Sequence, residues 1–333
     1  MQFGYLHPAD QLLMIMQRIY SRGMTTTSGG NLSIMDDDGN IWITPASIDK
    51  GTLTRKDIVC VKPNGEVVGI HKPSSELPFH ASVYRRRPDL KAVLHAHPPA
   101  LVAFSIVRKL PKMDLMPSTG KLLGKVAISE YAVPGSEQLG QNIAIFFDQG
   151  YDIVFLENHG VCIGGKSIFE AFQKFETLEY TASLEIAAKS LGETVSLSEE
   201  DIAATAGNCP CKMEEFENTV TPEELAVRRD MIPFIHRSYN QNLINATSGS
   251  FSVKQGKCQF VAGIGNCFNS ILGDIHQRRA GNIFNQEESI IQEGAEYIQQ
   301  SIHKGHAESN NGQSLTVFFL SGGLAVIFQE ADT

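Results

Sequence analysis

Apolar residues recur at helical spacing over residues 9–22, where Leu12, Leu13, Ile15, Met16 and Ile19 fall on one side and Gly23 ends the run. The stretch TTTSGGNLSIM then reads as a Gly-rich turn entering a strand, and a DDDGN hairpin signal leads to a second strand, IWIT. Short strands at 58–62 and 66–70 flank an Asn64-Gly65 turn. The pattern next predicts a helix from about Glu76 to Arg87, a strand KAVLHAH, and a helix over 98–108 with Pro99 in its first turn. A strand at 125–129, a helix at 136–149, paired strands DIVFLEN and GVCIGG, and a long helix at 167–191 follow. Strands interleaved with helices in this order predict an α/β sandwich around a largely antiparallel sheet.

Residues 192–221 change character. They are acidic, poor in large apolar side chains, and carry Gly207 and Pro210, so they read as a linker with one short helix between domains 1–191 and 222–333. Beyond it the pattern returns. MQRIYSRGMTTTSGGNLSIM (16–35) matches FIHRSYNQNLINATSGSFSV (234–253) at a constant shift of 219 residues, pairing Arg18 with Arg237, Tyr20 with Tyr239 and Gly30 with Gly249. DIVFLENHGVCI (152–163) has an echo in TVFFLSGGLAVI (316–327). Self-similarity of this length predicts a duplication whose second copy is shorter and degenerate. That copy has no HAH, and Gly323 stands where the first has His159.

Composition narrows the partners. Over 333 residues, 42% hydrophobic and 20% charged content describes a globular protein, and a net charge of −9 argues against nucleic acid or an anionic membrane surface. The apolar run LLMIM near the start is too short for a leader or a membrane span, so a cytoplasmic protein is expected. Six cysteines without a CxxC pair read as reduced thiols.

The chemistry begins at LKAVLHAHPPA. Side chains two apart on a strand share a face, so His95 and His97 aim at one point. A lone HxH fits half of a zinc-type site or a hydrogen-bonded structural pair. His159, in FLENHG, ends a buried-looking strand, and Glu76, in KPSSELPFH, opens a helix. His80, one turn after Glu76, reads either as a partner of that carboxylate or as a packing residue. His303 and His306 read as helix-end cations, the arginine runs at 85–87 and 228–229 as solvated faces, and Phe318-Phe319 as strand core.

GGNLS, ITPAS, KPSSE, HAHPP and NHG, in that order, resemble the class II aldolase/adducin family over residues 8 to about 190. The resemblance implies an αβα sandwich and a Zn2+ ion, or another divalent transition metal, ligated by His95, His97 and His159. It gives Glu76 two roles: to cap the metal at rest, and to act as the base once substrate displaces it. It places Gly30, Asn31, Ala46, Ser47, Ser74 and Ser75 at or beside the substrate's phosphate, a role that a close backbone approach and a helix N-terminus can fill without lysine. The implied activity is cleavage of a small ketose phosphate, such as L-fuculose 1-phosphate, to dihydroxyacetone phosphate and an aldehyde. Pentulose-phosphate 4-epimerases and decarboxylases of phosphorylated keto acids are the alternatives within the superfamily, and a glutamate at position 76 favours aldol cleavage or a related decarboxylation over epimerisation. A metal-containing but non-catalytic assembly protein is the alternative outside it. The resemblance also implies a homo-oligomer with its site near a subunit or repeat boundary. This chain departs from the family pattern at Ala46-Ser47, where Thr-Gly is common, and in having no tyrosine over 107–130; Leu115 falls where one is used, and Tyr131 is nearest.

Overall fold

The first turn of the structure already shows why the chain folds as its pattern predicts. Helix α1 (Pro8–Ser21) buries Leu12, Ile15, Met16 and Ile19 along one stripe, and a proline opens it where a missing N–H costs nothing. The computed structural model describes residues 6–204, 222–247, 249–255, 258–263, 315–320 and 323–328. The chain divides into two compact units, Gln2–Gly207 and Asn208–Thr333.

In the first unit the strands β1 (Asn31–Met35), β2 (Ile41–Ile43), β3 (Val59–Val61) and β4 (Val67–Val68) come first. Helix α2 (Leu77–Arg86), β5 (Ala92–Ala96), α3 (Pro99–Ile106) and α4 (Pro117–Leu122) follow. Then come β6 (Val126–Ser129), α5 (Glu137–Asp148), β7 (Ile153–Leu156), β8 (Gly160–Gly165), α6 (Ile168–Lys189) and α7 (Glu199–Ala204). The eight strands form one sheet in the order β4-β3-β2-β1-β5-β8-β7-β6. Every pairing is antiparallel except β6 with β7.

Helices cover both faces. On one, α6 packs against β5 and β8 with α1 and α3 beside it. On the other, Phe79, Val83 and Tyr84 of α2 and Leu139, Ile143 and Phe147 of α5 bury against Val93, Val154 and Cys162. Side chains of this size contribute about 1.5–3 kcal/mol each when fully buried. The αβα sandwich read from the sequence is therefore what forms, and the strand carrying His95, with His97 just after its end, lies inside its sheet. Caps set the boundaries: the Ser136 hydroxyl accepts from the Leu139 N–H at 3.2 Å, and the Ser167 hydroxyl from the Glu170 N–H at 3.1 Å.

Three details differ from expectation. The strand expected at 66–70 shrinks to the two residues of β4, at an edge where both valines are exposed. Helix α4 was not foreseen. The stretch expected as linker from residue 192 opens with residues tied to the first unit: Leu197 N–H donates to the Asp114 carbonyl at 2.9 Å, and Lys112 Nζ to the Thr194 hydroxyl at 2.8 Å. The remainder of that stretch, 205–221, lies outside the described residues, as do His303 and His306.

The second unit contains α8 (Pro222–Asn240), β9 (Ser250–Gln255), β10 (Cys258–Gly263), β11 (Leu315–Leu320) and β12 (Gly323–Phe328). Val227, Met231, Ile235 and Tyr239, four apart on α8, pack with Ile244 and Phe251. The strands run in the order β10-β9-β12-β11, two antiparallel hairpins joined by a parallel β9–β12 pairing. Among the described residues, no helix is long and apolar enough to cross a membrane.

Candidate metal centre

His95 lies within β5, and His97 follows one residue after that strand. Their shared face is the α2 side, where Glu76 stands at the N-cap of the helix. The third histidine arrives through pairing: β8 lies antiparallel to β5, with Ala96 opposite Val161, so the tight β7–β8 turn sets His159 beside them. Asn158 in that turn adopts a φ of 54°, the left-handed conformation that asparagine tolerates. Gly160 is required there, because a Cβ on it would lie 2.5 Å from the Ala96 carbonyl and 2.7 Å from the His97 ring.

The three imidazoles converge. One ring nitrogen from each of His95, His97 and His159 lies within 4.8 Å of the others, and ring centroids are 4.7 to 4.9 Å apart. A tetrahedral zinc with bonds of about 2.1 Å sets its ligand nitrogens about 3.4 Å apart, comparable to this spread. His95 Nδ1 donates to the Val161 carbonyl at 3.0 Å, which leaves Nε2 as a bare lone pair. That lone pair faces His97 Nε2 at 3.0 Å and Glu76 Oε2 at 3.3 Å, while Glu76 Oε1 stands 4.0 Å from His159 Nε2. His159 Nδ1 is buried without a hydrogen-bond partner. A proton on His97 Nε2 would relieve one of these contacts; a divalent cation relieves them all. The donor set fits such an ion.

Protonation favours the same outcome. Burial, and then the repulsion that a protonated His159 would add, pushes His95 down to about 3. Burial and the two neighbouring histidines take His97 to about 3 as well, and burial lowers His159. All three rings are neutral at physiological pH, the state in which imidazole binds metal.

The residues expected around phosphate fall into two groups. An isolated bridge joins Pro45 to Pro73, with the Ala46 N–H donating to the Lys72 carbonyl at 3.0 Å, so the turns bearing Ala46-Ser47 and Ser74-Ser75 lie side by side. Ser47 and Ser75 are exposed, and Ser47 sits at a φ of 56°. Ser74 is buried and accepts from the Glu76 N–H at 3.2 Å. Gly30 lies against β5, where its φ of 73° suits glycine and a Cβ would lie 2.8 Å from the His95 carbonyl. The side chain of Asn31 is committed elsewhere: its amide donates to Glu76 Oε2 at 2.6 Å, and its oxygen accepts from His80 Nε2.

Three further residues gain importance in the structure, two of them with no signal in the sequence. His80 is fully buried and touches Asn31 and Ser33. Lys50 is buried with Nζ donating to the Pro45 carbonyl at 2.8 Å, and burial brings its ammonium down to about 8. Glu179 of α6 accepts from the Ala100 and Leu101 N–H groups at 3.1 and 3.0 Å, capping α3 just after His97-Pro98. Tyr131 is exposed, its N–H bonded to Glu157 at 3.2 Å.

The profile of the Class II Aldolase and Adducin N-terminal domain matches residues 10–186, the stretch that builds this sheet and all three histidines. The chain belongs to the class II aldolase and adducin family. A 3-oxo-tetronate 4-phosphate decarboxylase of Pectobacterium atrosepticum is 34% identical over 178 residues, covering 52% of this chain and 81% of that protein. An L-fuculose phosphate aldolase of Methanococcus maripaludis is 36% identical over 175 residues, covering 52% of this chain and 93% of that one. Among solved structures, YgbL from Escherichia coli is 31% identical with a TM-score of 0.54, over 59% of this chain and 96% of that chain. The family match lies within the first unit. It assigns the chain to an enzyme family of generally metal-dependent lyases, whose members here include both an aldolase and a decarboxylase.

Proposed function

We propose that this chain is a zinc-dependent aldolase that cleaves a small ketose phosphate, such as L-fuculose 1-phosphate, to dihydroxyacetone phosphate and an aldehyde. The observation that carries this reading is the meeting of His95, His97 and His159, three neutral imidazoles, with the Glu76 carboxylate at one end of β5. A divalent cation held by those imidazoles would polarise the substrate's carbonyl and adjacent hydroxyl, and would stabilise the negative charge that carbon–carbon cleavage leaves behind. Three histidines favour zinc among such ions. Asn31 occupies Oε2 of Glu76, so Oε1 is the oxygen left to give a proton to the substrate carbon or take it back. The adjoining turns with Ser47, Ser74 and Ser75 at the start of α2 offer hydroxyls, backbone N–H groups and a helix dipole to a phosphate, with the Lys50 ammonium bonded nearby at Pro45.

A second reading, decarboxylation of a 3-oxo acid phosphate, has its own support. An aldolase must manage the hydroxyl proton of its departing aldehyde, and no tyrosine occurs over 107–130 to do so, whereas loss of carbon dioxide needs no such group. The decarboxylase relative fits this view. Both reactions leave an electron pair on the carbon beside a carbonyl, and both end as dihydroxyacetone phosphate once Glu76 supplies the proton. The co-product separates them. Metal-loaded full chain is incubated with ketose 1-phosphates and with 3-oxo-tetronate 4-phosphates, and aldehyde and carbon dioxide are measured. Aldehyde release supports the aldolase, carbon dioxide alone supports the decarboxylase, and silence on the whole panel refutes both.

We further read residues 222–333 as a shortened copy of the fold without metal ligands. Helix ends at Ser21 and Asn240, and strand starts at Asn31 and Ser250, all keep the 219-residue shift and support this reading.

A further inference from the structure

Helix α2 and strand β1 carry two polar ladders of nearly equal pitch. Glu76, His80 and Tyr84 fall four apart on the helix, about 6 Å per step, and Asn31 and Ser33 fall two apart on the strand, about 6.8 Å per step. The ladders interleave as Glu76, Asn31, His80, Ser33, Tyr84, and all five residues are buried. Asn31 Nδ2 donates to Glu76 Oε2 at 2.6 Å, and Ser33 Oγ lies 2.7 Å from His80 Nδ1 and 2.6 Å from the Tyr84 hydroxyl.

Proton counting fixes every direction in this chain. A carboxylate can only accept, so the Asn31 amide nitrogen faces Glu76 and its oxygen faces His80. His80 Nε2 must then carry a proton. Burial holds the ring neutral, so Nδ1 is an acceptor and takes the Ser33 proton. Ser33 has no second proton, and Tyr84 therefore donates to it. Four hydrogen bonds point the same way, toward one oxygen of Glu76, and each polarises the next. Phe79 stacks on the His80 ring at 4.3 Å, which holds the ring plane in place.

We propose that His80 is a positioning residue: held as the Nε2–H tautomer between Asn31 at one ring nitrogen and Ser33 at the other, it fixes the Asn31 amide and so determines which oxygen of Glu76 moves the proton. Were His80 protonated on Nδ1 instead, the Asn31 amide would turn over and set its oxygen against the carboxylate. The proposal rests on reading Glu76 as the acid–base group of a lyase.

The test uses the zinc-loaded full chain as wild type, Ser33→Ala, His80→Gln and His80→Leu. Long-range 15N–1H spectra of the imidazoles read the His80 tautomer without turnover; kcat and KM are read on whichever substrate yields dihydroxyacetone phosphate; zinc content and melting temperature report on the fold. Wild type should show a single Nε2–H tautomer for His80. Ser33→Ala, which removes the donor to Nδ1 and leaves the Asn31 and Glu76 contacts in place, should weaken the preference for the Nε2–H tautomer and lower kcat roughly tenfold, with KM and zinc content within about twofold. His80→Gln, which keeps a donor toward Asn31, should retain at least about a third of wild-type kcat, and His80→Leu should lose roughly a hundredfold. A wild-type His80 protonated on Nδ1 or on both nitrogens overturns the proposal. So does a kcat within twofold of wild type in both Ser33→Ala and His80→Leu, or a joint fall of kcat, zinc content and melting temperature that glutamine does not rescue. If wild type turns over no substrate, the lyase reading fails instead, and the tautomer spectra of wild type and Ser33→Ala decide the proposal alone.

Discussion

The two units differ most in what they bury. The first encloses Asn31, Ser33, Lys50, Glu76, His80, His95, Lys174, Glu176, Glu179 and Glu185 among its buried polar side chains, whereas the second, among the described residues, buries Asn245. Enclosing such groups costs stability unless each finds a partner, so a fold without a site to serve has little reason to carry them. The sheets differ in the matching place. Strands β1 and β8 both run antiparallel to β5 and hence parallel to each other; in the second unit β9 and β12 are parallel and directly paired. On the proposed alignment, the strand missing between them is the one that bears His95. On that alignment the second sheet closes without the strand that in the first unit carries a ligand histidine.

The strongest way to break that contrast is to count metal. Wild-type chain should bind one zinc per chain by elemental analysis, and His95→Ala should bind none and lose activity to background. His303→Ala with His306→Ala, in the second half, should keep the full equivalent. A double variant that lost zinc would mean that the contrast is wrong. Glu76→Gln should come next in size: the three imidazoles remain, so zinc stays bound, while kcat falls roughly 10²–10⁴-fold with the acid–base group removed. Parallel zinc and turnover measurements separate the two variants.

How much of this was legible beforehand depended on whether the information was local. Strand alternation was enough to put His95 and His97 on one face, and the αβα layering followed from helical and strand periods. His159 is different: no spacing places it beside His95, because the convergence comes from β8 pairing with β5, and only the family resemblance anticipated it. His80 carried a partial signal, four residues after Glu76. Reading it fully requires knowing that α2 lies over β1, which brings Ser33 and Asn31 between the helix positions. Lys50 and Glu179 gave no signal, since burial alone makes them unusual and burial is a property of the tertiary fold. Residues 192–204 looked like linker because they hold few large apolar groups, yet backbone and lysine hydrogen bonds fasten them, and composition does not record those.

If buried ionisable groups are what set the first unit apart, its stability should carry their pH signature. Burial raises Glu179 to about 7, against the opposing pull of the two α3 N–H groups it accepts from. Unfolded, this carboxyl loses its proton near pH 4.5; folded, it keeps it to about 7, so the native state holds the extra proton in between. Stability contributed by this group therefore falls as pH rises from about 4.5 to 7, by roughly 3 kcal/mol in total. Denaturant titrations across that window should show the decline in wild type and a flatter profile in Glu179→Gln. An unchanged slope in the variant would remove Glu179 from the account.

The finest test compares two glycines that the 219-residue shift superimposes. Gly30 has a φ of 73° and Gly249 a φ of 128°, so alanine at either position is strained, by about 1–3 kcal/mol. Only at Gly30 does the added carbon meet the site, since it would stand 2.8 Å from the His95 carbonyl and 3.2 Å from the Ala96 Cα. Gly30→Ala must therefore push β5 aside at the residue that offers a ligand, and its zinc dissociation constant should rise roughly tenfold, in the range seen for groups that orient metal ligands. Gly249→Ala should lower the melting temperature and leave the zinc constant alone. Equal weakening of zinc by both substitutions would show that the second unit shares in holding the ion, and the division drawn between a strand that binds and a sheet that merely closes would have to be abandoned.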